Sequence, residues 1–229
     1  MLKKLMISSV IFIVICLIIV IWLIIAVVKS YNKNTEEPIT MIKPTHAVPI
    51  ITNEQGVTRV DGHVIVNKRY SLPSNYKPKE NKHARHQLDK LLESAQKENL
   101  DINYISGYRS YDEQKKVVKE YEKKDGKMTA EQYTAKPGHS EHQTGLAFDV
   151  GTNRPMKDFH KDFKNTKEAR WLERHVAEYG FIIRYPKGQS NQTGYAYEAW
   201  HIRYVGKTLA KIITSEQTNL EHYYNLQPE

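Results

Sequence analysis

The longest apolar run in the sequence lies near its N terminus. Between residues 5 and 28 the polar side chains are those of Ser8 and Ser9. A helix of this length reaches about 36 Å and can cross a hydrocarbon core of about 30 Å. A cleaved signal peptide has a shorter apolar region followed by small residues at the cleavage site, and the segment 26–29 lacks that pattern. We therefore expect residues 1–29 to form a cytoplasmic stub and an uncleaved transmembrane signal anchor, with a cleaved signal as the alternative.

The pattern of polar and apolar positions changes twice after this segment. Residues 30–56 are rich in polar residues and proline and show no sustained periodicity, which predicts an extended linker. Residues 57–66 then alternate apolar and polar side chains around Asp61-Gly62, a dipeptide typical of two-residue β-hairpin turns. We therefore expect the folded domain to occupy residues 57–229.

The rest of the chain mixes helical and strand-like periodicities. Apolar residues at helical spacing, together with a capping-box pattern at Ser110 and Glu113, predict four helices. These lie at about 84–100, after Ser110, at 166–179 and at 206–214. Alternating apolar positions predict strands at 102–105, 146–150 and 181–185 and a strand-rich run at 195–205.

Charge and cysteine content narrow the classes of function. The formal net charge of +8 comes from 34 basic and 26 acidic residues. Nucleic-acid binding is one interpretation of this charge, but no recognition motif accompanies it. We favour a solvated basic surface that faces an anionic membrane or cell wall. The single cysteine, Cys16, excludes an intrachain disulfide and a cysteine-based zinc knuckle.

Polar and charged side chains are concentrated in residues 136–150, immediately before and within a predicted strand. His142 and Asp149 are a nitrogen and an oxygen ligand of the kind a catalytic zinc takes, and such a site needs a third ligand and an open position. Strand alternation turns Asp149 away from the core, which three apolar neighbours would face: Leu146, Phe148 and Val150. Gly145 would let the chain bend so that His142 folds back beside Asp149. A polar turn before an ordinary strand is the alternative.

A second cluster follows some fifty residues later. Alternation there directs Trp200, Ile202 and Tyr204 to the core, which leaves His201 on the other face. Glu198 lies three residues before His201, and a flat strand would put the two side chains on opposite faces. A bulge or turn near Ala199 is therefore required if both are to reach one metal site.

Arg109 immediately precedes the predicted N-cap, Ser110, where backbone N–H groups and the helix dipole favour negative charge. Its forked donors suit a substrate carboxylate or a developing oxyanion, and a surface salt bridge or structural cap is an equal alternative. Two histidines and an aspartate make an open zinc site, and a nearby glutamate could activate water there. This combination indicates metal-assisted hydrolysis of an amide, although the sequence lacks an H-E-x-x-H helix.

The motif Ser140-x-His142, with Asp149 seven residues further on, followed by Glu198-x-Trp200-His201, resembles the zinc D-alanyl-D-alanine carboxypeptidases of the VanY type, part of the wider LAS peptidases. The resemblance extends over about residues 60–210 and includes the segment 106–110, Ser-Gly-Tyr-Arg-Ser. It implies an α+β fold like that of hedgehog-type domains and D,D-peptidases. In that fold helices pack against an antiparallel sheet and zinc lies in a surface cleft.

The resemblance also implies a role for each residue of the motif. The zinc ligands would be His142, Asp149 and His201. Glu198 would be the base that deprotonates the attacking water and passes the proton to the leaving amine. Arg109 would stabilise the scissile carbonyl oxygen or dock the substrate, and two further residues would contact the terminal carboxylate of the peptide: Ser140 and Gln143.

The substrate implied by the resemblance is the stem peptide of peptidoglycan, from which the terminal D-alanine is removed. Because lysines flank both ends of the apolar run, charge alone leaves its orientation open. An external substrate requires residues 30–229 to lie outside the membrane, so we expect a single-pass protein of the cell membrane that contacts the membrane through its N-terminal helix. Nothing in the sequence predicts an oligomeric state.

Three other functions remain open at this point. An L,D-carboxypeptidase that acts on tetrapeptide stems would use the same motif residues. An endopeptidase would need a cleft open at both ends. A non-catalytic, zinc-containing wall-binding domain is the alternative from another class, and Glu198 beside a complete ligand set argues against it.

Overall fold

The computed structural model describes residues 20–23, 48–130 and 134–226, which belong to two units, Met1–Ala47 and Val48–Glu229. In the first unit residues 20–23 are helical and exposed. The rest of the expected anchor, and the linker up to residue 47, lie outside the described residues. Within the described part of the chain, no helix has the length and apolar character needed to cross a membrane. The signal anchor therefore stays a prediction.

The second unit begins with a small antiparallel sheet of three strands in the order β1-β2-β3. The strands are β1 (Ile51–Glu54), β2 (Val57–Val60) and β3 (His63–Val64). The hairpin predicted at Asp61-Gly62 is confirmed, with Val60 opposite His63 and positive φ at both turn residues.

The structure corrects the expected linker at its C-terminal end, because β1 lies within residues 30–56. A second two-residue turn, Gln55-Gly56, has positive φ at both positions and joins β1 to β2. All four side chains of β1 are exposed. The segment therefore has no apolar face, and this is why its sequence carries no strand-like alternation.

The main sheet has four antiparallel strands in the order β4-β5-β7-β6. They are β4 (Asn103–Ser106), β5 (Ala147–Gly151), β6 (Phe181–Ile183) and β7 (His201–Tyr204). Strand β7 is shorter than the predicted run 195–205, because the chain before it forms loops and a turn at residues 199–200.

Eight α-helices are described in the second unit. They are α1 (Lys82–Lys97), α2 (Tyr111–Asp125), α3 (Lys127–Ala130), α4 (Phe159–Asp162), α5 (Lys167–His175), α6 (Ser190–Thr193), α7 (Lys207–Ser215) and α8 (Leu220–Tyr223). Three 3₁₀ segments are also described: Glu141–Thr144 before β5, Phe163–Asn165 between α4 and α5, and Val176–Tyr179 between α5 and β6. The capping box predicted at the start of α2 is confirmed, since Ser110 and Glu113 each accept a hydrogen bond from the other's backbone N–H.

The core lies between the main sheet and the helices. Phe148, Val150 and Ile202 are buried there, as the strand alternation predicted, and they belong to one cluster with Leu88 and Leu91 of α1. A second cluster lies under α7 and α8. The predicted α+β fold, with an antiparallel sheet and packed helices, is confirmed.

Candidate active site

Three elements bring the predicted ligands together. Asp149 on β5 and His201 on β7 are directly opposite each other in the antiparallel register, a position in which side chains on one face of the sheet meet. His142 comes from the 3₁₀ turn that precedes β5. Gly145 ends this turn in the left-handed conformation, with φ of 69°, so the chain bends back toward the strand as the sequence suggested.

The donor atoms of the three residues converge. His142 Nε2 lies 3.2 Å from Asp149 Oδ2, and His201 Nδ1 lies 3.0 Å from Asp149 Oδ1. One possible ligand atom from each residue lies within 4.8 Å of the others. The other ring nitrogen of His142, Nδ1, is 2.8 Å from the carbonyl oxygen of Gly107, a contact typical of metal-binding histidines.

The electrostatics of the three residues also fit a cation. Burial alone would raise the pKa of Asp149, but His142 and His201 hold it well below its usual range. Burial lowers the pKa of His201, but the hydrogen bond to Asp149 and the Glu141 carboxylate, 3.6 Å away, outweigh this effect and raise it to about 10. The two carboxylates therefore hold a positive charge at this point, and a divalent metal can replace it on release of the proton. Two imidazole nitrogens and one carboxylate oxygen are a donor set that suits Zn²⁺.

Glu198 joins the ligands through the turn that the sequence required. The backbone N–H of His201 donates to the Glu198 carbonyl at 3.3 Å, and the N–H of Glu198 donates to the Tyr185 carbonyl at 3.1 Å. Its carboxyl is buried in the same cleft as the ligands. Burial raises the pKa of Glu198 to about 8 in the metal-free protein, so this carboxyl can both accept and release a proton near neutral pH.

Arg109 lines the cleft and is held through both its backbone and its side chain. Its backbone N–H donates to the carbonyl of His142 at 3.1 Å. Its guanidinium donates to Gln114 Oε1 at 2.9 Å and to Ser106 Oγ at 3.1 Å. These contacts use two of the five N–H donors of an arginine, and the side chain lines the cleft together with the buried Ser140. Both residues therefore lie where a substrate anion could reach them.

Gln143 does not join them, which corrects its expected role as a substrate contact. Its side chain is fully buried, and its amide donates to the carbonyl oxygens of Pro73 at 2.8 Å and Tyr76 at 3.2 Å. It lies outside the set of described residues that line the cleft. The 3₁₀ geometry of the turn directs the Gln143 side chain to the loop at 73–76. This direction could not be inferred from the position of Ser140 in the sequence.

Two residues near the ligands were not identified from the sequence. The buried Glu141 accepts hydrogen bonds from Arg184 and Arg203 and lies 3.6 Å from His201. The ring of Tyr185 stacks on that of His201 at a centroid distance of 5.1 Å. Arg203 lies within the buried strand β7 and Arg184 directly follows the buried strand β6. Arginines at such apolar positions are the signal that could have indicated a buried acid such as Glu141.

The cleft itself has a volume of about 430 Å³. Helix α2 forms one wall, and Trp200 and His160 form another, with their rings 5.0 Å apart. A second cavity of about 300 Å³ shares Thr134 and Tyr195 with it and is lined also by three basic side chains: Lys68, Lys136 and His139. The main cleft can hold a short peptide against the ligands.

Comparison with known proteins gives results that agree with this geometry. Residues 77–207 match the sequence model of a family described as VanY, D-alanyl-D-alanine carboxypeptidase. A Bacillus subtilis (strain 168) protein, YodJ, whose name describes it as a carboxypeptidase, is 35% identical over 220 residues, which is 86% of this chain and 79% of YodJ.

Two solved structures extend the comparison to the fold. The LD-carboxypeptidase LdcB is 40% identical, with a TM-score of 0.72 over 79% of this chain and 97% of LdcB. A mutant of the vancomycin resistance D,D-pentapeptidase VanY, solved in complex with Zn(II), is 30% identical, with a TM-score of 0.59 over 69% of this chain and 96% of that one. The residues matched by the family model, 77–207, include all the described residues that line the cleft.

Proposed function

Because the chain belongs to the VanY family of D-alanyl-D-alanine carboxypeptidases, a family of metal-dependent hydrolases, we propose that it removes the C-terminal D-alanine from peptidoglycan stem peptides with zinc as its metal. The observation that carries this proposal is the convergence of His142, Asp149 and His201 beside a buried Glu198. A non-catalytic wall-binding domain would have no use for such a base, and the two relatives of known structure named above, LdcB and VanY, are peptidases.

Each of these cleft residues would have a separate role in the reaction. His142, Asp149 and His201 would hold Zn²⁺, which when bound supplies Lewis-acid activation of water and of a carbonyl oxygen. Glu198 would take a proton from the water that attacks the scissile carbonyl and deliver it to the amine of the leaving D-alanine. The free donors of Arg109 would stabilise the negative charge that develops on the carbonyl oxygen or hold the peptide carboxylate, and the hydroxyl of Ser140 would contact that carboxylate.

Two substrates fit this chemistry. The family description and the VanY structure support the pentapeptide, whose terminal bond joins two D-alanines. The higher identity to LdcB, 40% against 30%, over almost the whole of both relatives supports a second candidate, L,D-cleavage of the tetrapeptide. The residues that bear on the chemistry are common to both, so the choice depends on parts of the cleft that contact the rest of the peptide.

Mass spectrometry of stem peptides incubated with the purified full-length chain tests the proposal. For a D,D-carboxypeptidase, the pentapeptide loses one alanine and the tetrapeptide stays intact. Loss of alanine from the tetrapeptide alone would support the second candidate and exclude the first. A chelator should stop the reaction and added zinc should restore it. If neither peptide loses alanine in the zinc-loaded protein, the proposed function is wrong.

We also propose that residues 30–229 lie on the outer side of the cell membrane, anchored by the apolar run at 5–28, because the stem peptide is outside. Protease added to intact cells whose wall has been removed should then digest the catalytic part of the chain. A catalytic part protected until the membrane is lysed would contradict this location.

A further inference from the structure

We propose that Glu141 is a positioning residue for the metal site, which holds the Nε2 side of His201 and thereby presents Nδ1 to the metal. This inference rests on the metal site of the proposed function. It concerns a buried residue that is not one of the three predicted ligands.

The position of the Glu141 carboxylate is fixed by two arginines. Its Oε1 accepts from Arg184 Nε at 2.7 Å and from Arg203 Nη1 at 2.8 Å. The other oxygen, Oε2, lies 3.6 Å from His201 Nε2. Both of these last atoms are buried, and neither has a hydrogen-bond partner elsewhere in the described part of the chain. A separation of 3.6 Å is an ion-pair distance that a small rotation of the ring converts to a hydrogen bond.

Glu141 and three other buried charged groups form a closed network. Arg184 also donates to Glu221 at 2.9 and 2.6 Å, and Glu221 accepts from Asn67 at 3.1 Å. Two arginines and two glutamates sum to zero charge, and each of their side chains is at most 1% exposed. The carboxylate of Glu141 cannot move without leaving an arginine unpaired, which is costly in a buried site.

Stability alone does not explain such a network, because buried ion pairs often stabilise a fold no more than apolar residues of similar volume. Control of the His201 tautomer is a second role that the network can have. A neutral imidazole that gives Nδ1 to a metal keeps its proton on Nε2, and a carboxylate acceptor there fixes the ring and raises its basicity as a ligand. His142 shows the opposite arrangement, because the Gly107 carbonyl holds its Nδ1 and leaves Nε2 for the metal.

The substitution Glu141→Gln separates this role from that of the charge network. A carboxylate has an acceptor oxygen on each side, whereas an amide has one. In Glu141→Gln the single oxygen stays with the two arginines, and the NH₂ group then faces the N–H of His201. Glu221→Gln is the matched control, since it makes the same change of charge in the same network without facing His201.

The comparison of these two variants is tested by the zinc affinity of the full-length protein, measured by competition with a chromophoric chelator. We expect Glu141→Gln to bind zinc about 10–100-fold more weakly than the wild type and Glu221→Gln to keep the wild-type affinity, although both variants lose thermal stability in their metal-free forms. Equal losses of affinity in the two variants, or no loss in either, would overturn the inference.

A measurement on the wild type keeps the inference testable if Glu141→Gln does not fold. Long-range ¹H–¹⁵N spectra of the zinc-loaded chain with ¹⁵N-labelled histidine should show His201 protonated at Nε2 and ligated through Nδ1. Ligation through Nε2 would overturn the inference and leave the proposed function intact. A wild-type chain that binds no zinc would overturn both.

Discussion

Gly145→Ala is the substitution whose effect on the candidate site follows most directly from the backbone. Gly145 has φ of 69°, and a Cβ atom built on it would overlap the carbonyl oxygen of Lys79 and lie 3.0 Å from the carbonyl carbon. The obstacle is backbone that cannot rotate away, because the Gly145 carbonyl also accepts from the N–H of Asn81 at 2.9 Å, next to the N-terminus of α1. An alanine must therefore push apart the turn that carries His142 and the start of α1.

The cost has two parts. A left-handed conformation costs a non-glycine residue about 1–2 kcal/mol, and the overlap adds about 1–3 kcal/mol, the usual cost of an overpacked site. Gly188 provides a control for the first part alone, since its φ is 79° and no atom lies within 4 Å of a built Cβ. For a chain of this length each kcal/mol lowers the melting temperature by about 2–4 °C. We expect Gly145→Ala to melt about 2–12 °C below Gly188→Ala.

Thermal unfolding of the full-length wild type and both variants, followed by circular dichroism, measures the difference. The measurement is made in the presence of a chelator, because bound zinc would stabilise the folded state by mass action and mix the two effects. Equal melting temperatures for the two variants would show that the turn yields to a side chain at this position. The argument that Lys79 and Gly145 fix the position of His142 would then fail.

Three other substitutions separate catalysis, packing and charge. Glu198→Ala should lower kcat for alanine release by at least about 10²-fold, since it removes the base, while metal analysis finds the same zinc content; full activity would exclude the role of Glu198. Gln143→Ala should cost about 1–3 kcal/mol in urea unfolding, because two loop carbonyls lose their donor, and should leave KM for the peptide unchanged; a raised KM with unchanged stability would restore its role in substrate binding. Hydrogen bonds from the side chain and backbone of Ser110 lower the pKa of Glu113 in the folded state. The charge of Glu113 therefore stabilises the fold at pH values above its unfolded pKa of about 4.3. This stabilisation is lost as the pH falls through the lower pKa of the folded state. Glu113→Gln should therefore be about 0.3–1 kcal/mol less stable than the wild type at pH 7 and equally stable at pH 2, and a difference independent of pH would contradict this.

The sequence predicted most of what depends on side-chain periodicity. Alternation along β5 and β7 put Asp149 and His201 on the faces that they occupy, and the offset of Glu198 predicted a turn where the structure has one. Alternation cannot give the register between two strands, because a shift by two residues keeps every side chain on the same face. The direct opposition of Asp149 and His201 therefore appears only when the strands are paired.

Side chains in turns were the least predictable. Gln143 follows His142 in the chain but points to a different neighbour, and Glu141 precedes it and points into a buried charge network. In a 3₁₀ segment three residues complete a turn, so successive side chains leave in directions about one third of a turn apart. Polar residues in such a segment give no apolar stripe from which the inward direction could be inferred.

The 3₁₀ turn before β5 has the composition of a surface loop and the environment of a core. All four of its side chains are buried, and three of them contact different parts of the molecule: Glu141 two arginines, His142 the other ligands, and Gln143 two loop carbonyls. The fourth, Thr144, donates within the turn to the Glu141 carbonyl at 2.6 Å. Gly145 then closes the turn against α1. Because these contacts all fix the same short backbone, a substitution at any of them can displace His142. Loss of zinc in a variant therefore identifies a ligand or its positioning partner only when the metal-free protein keeps its fold and a matched variant of equal stability keeps the metal.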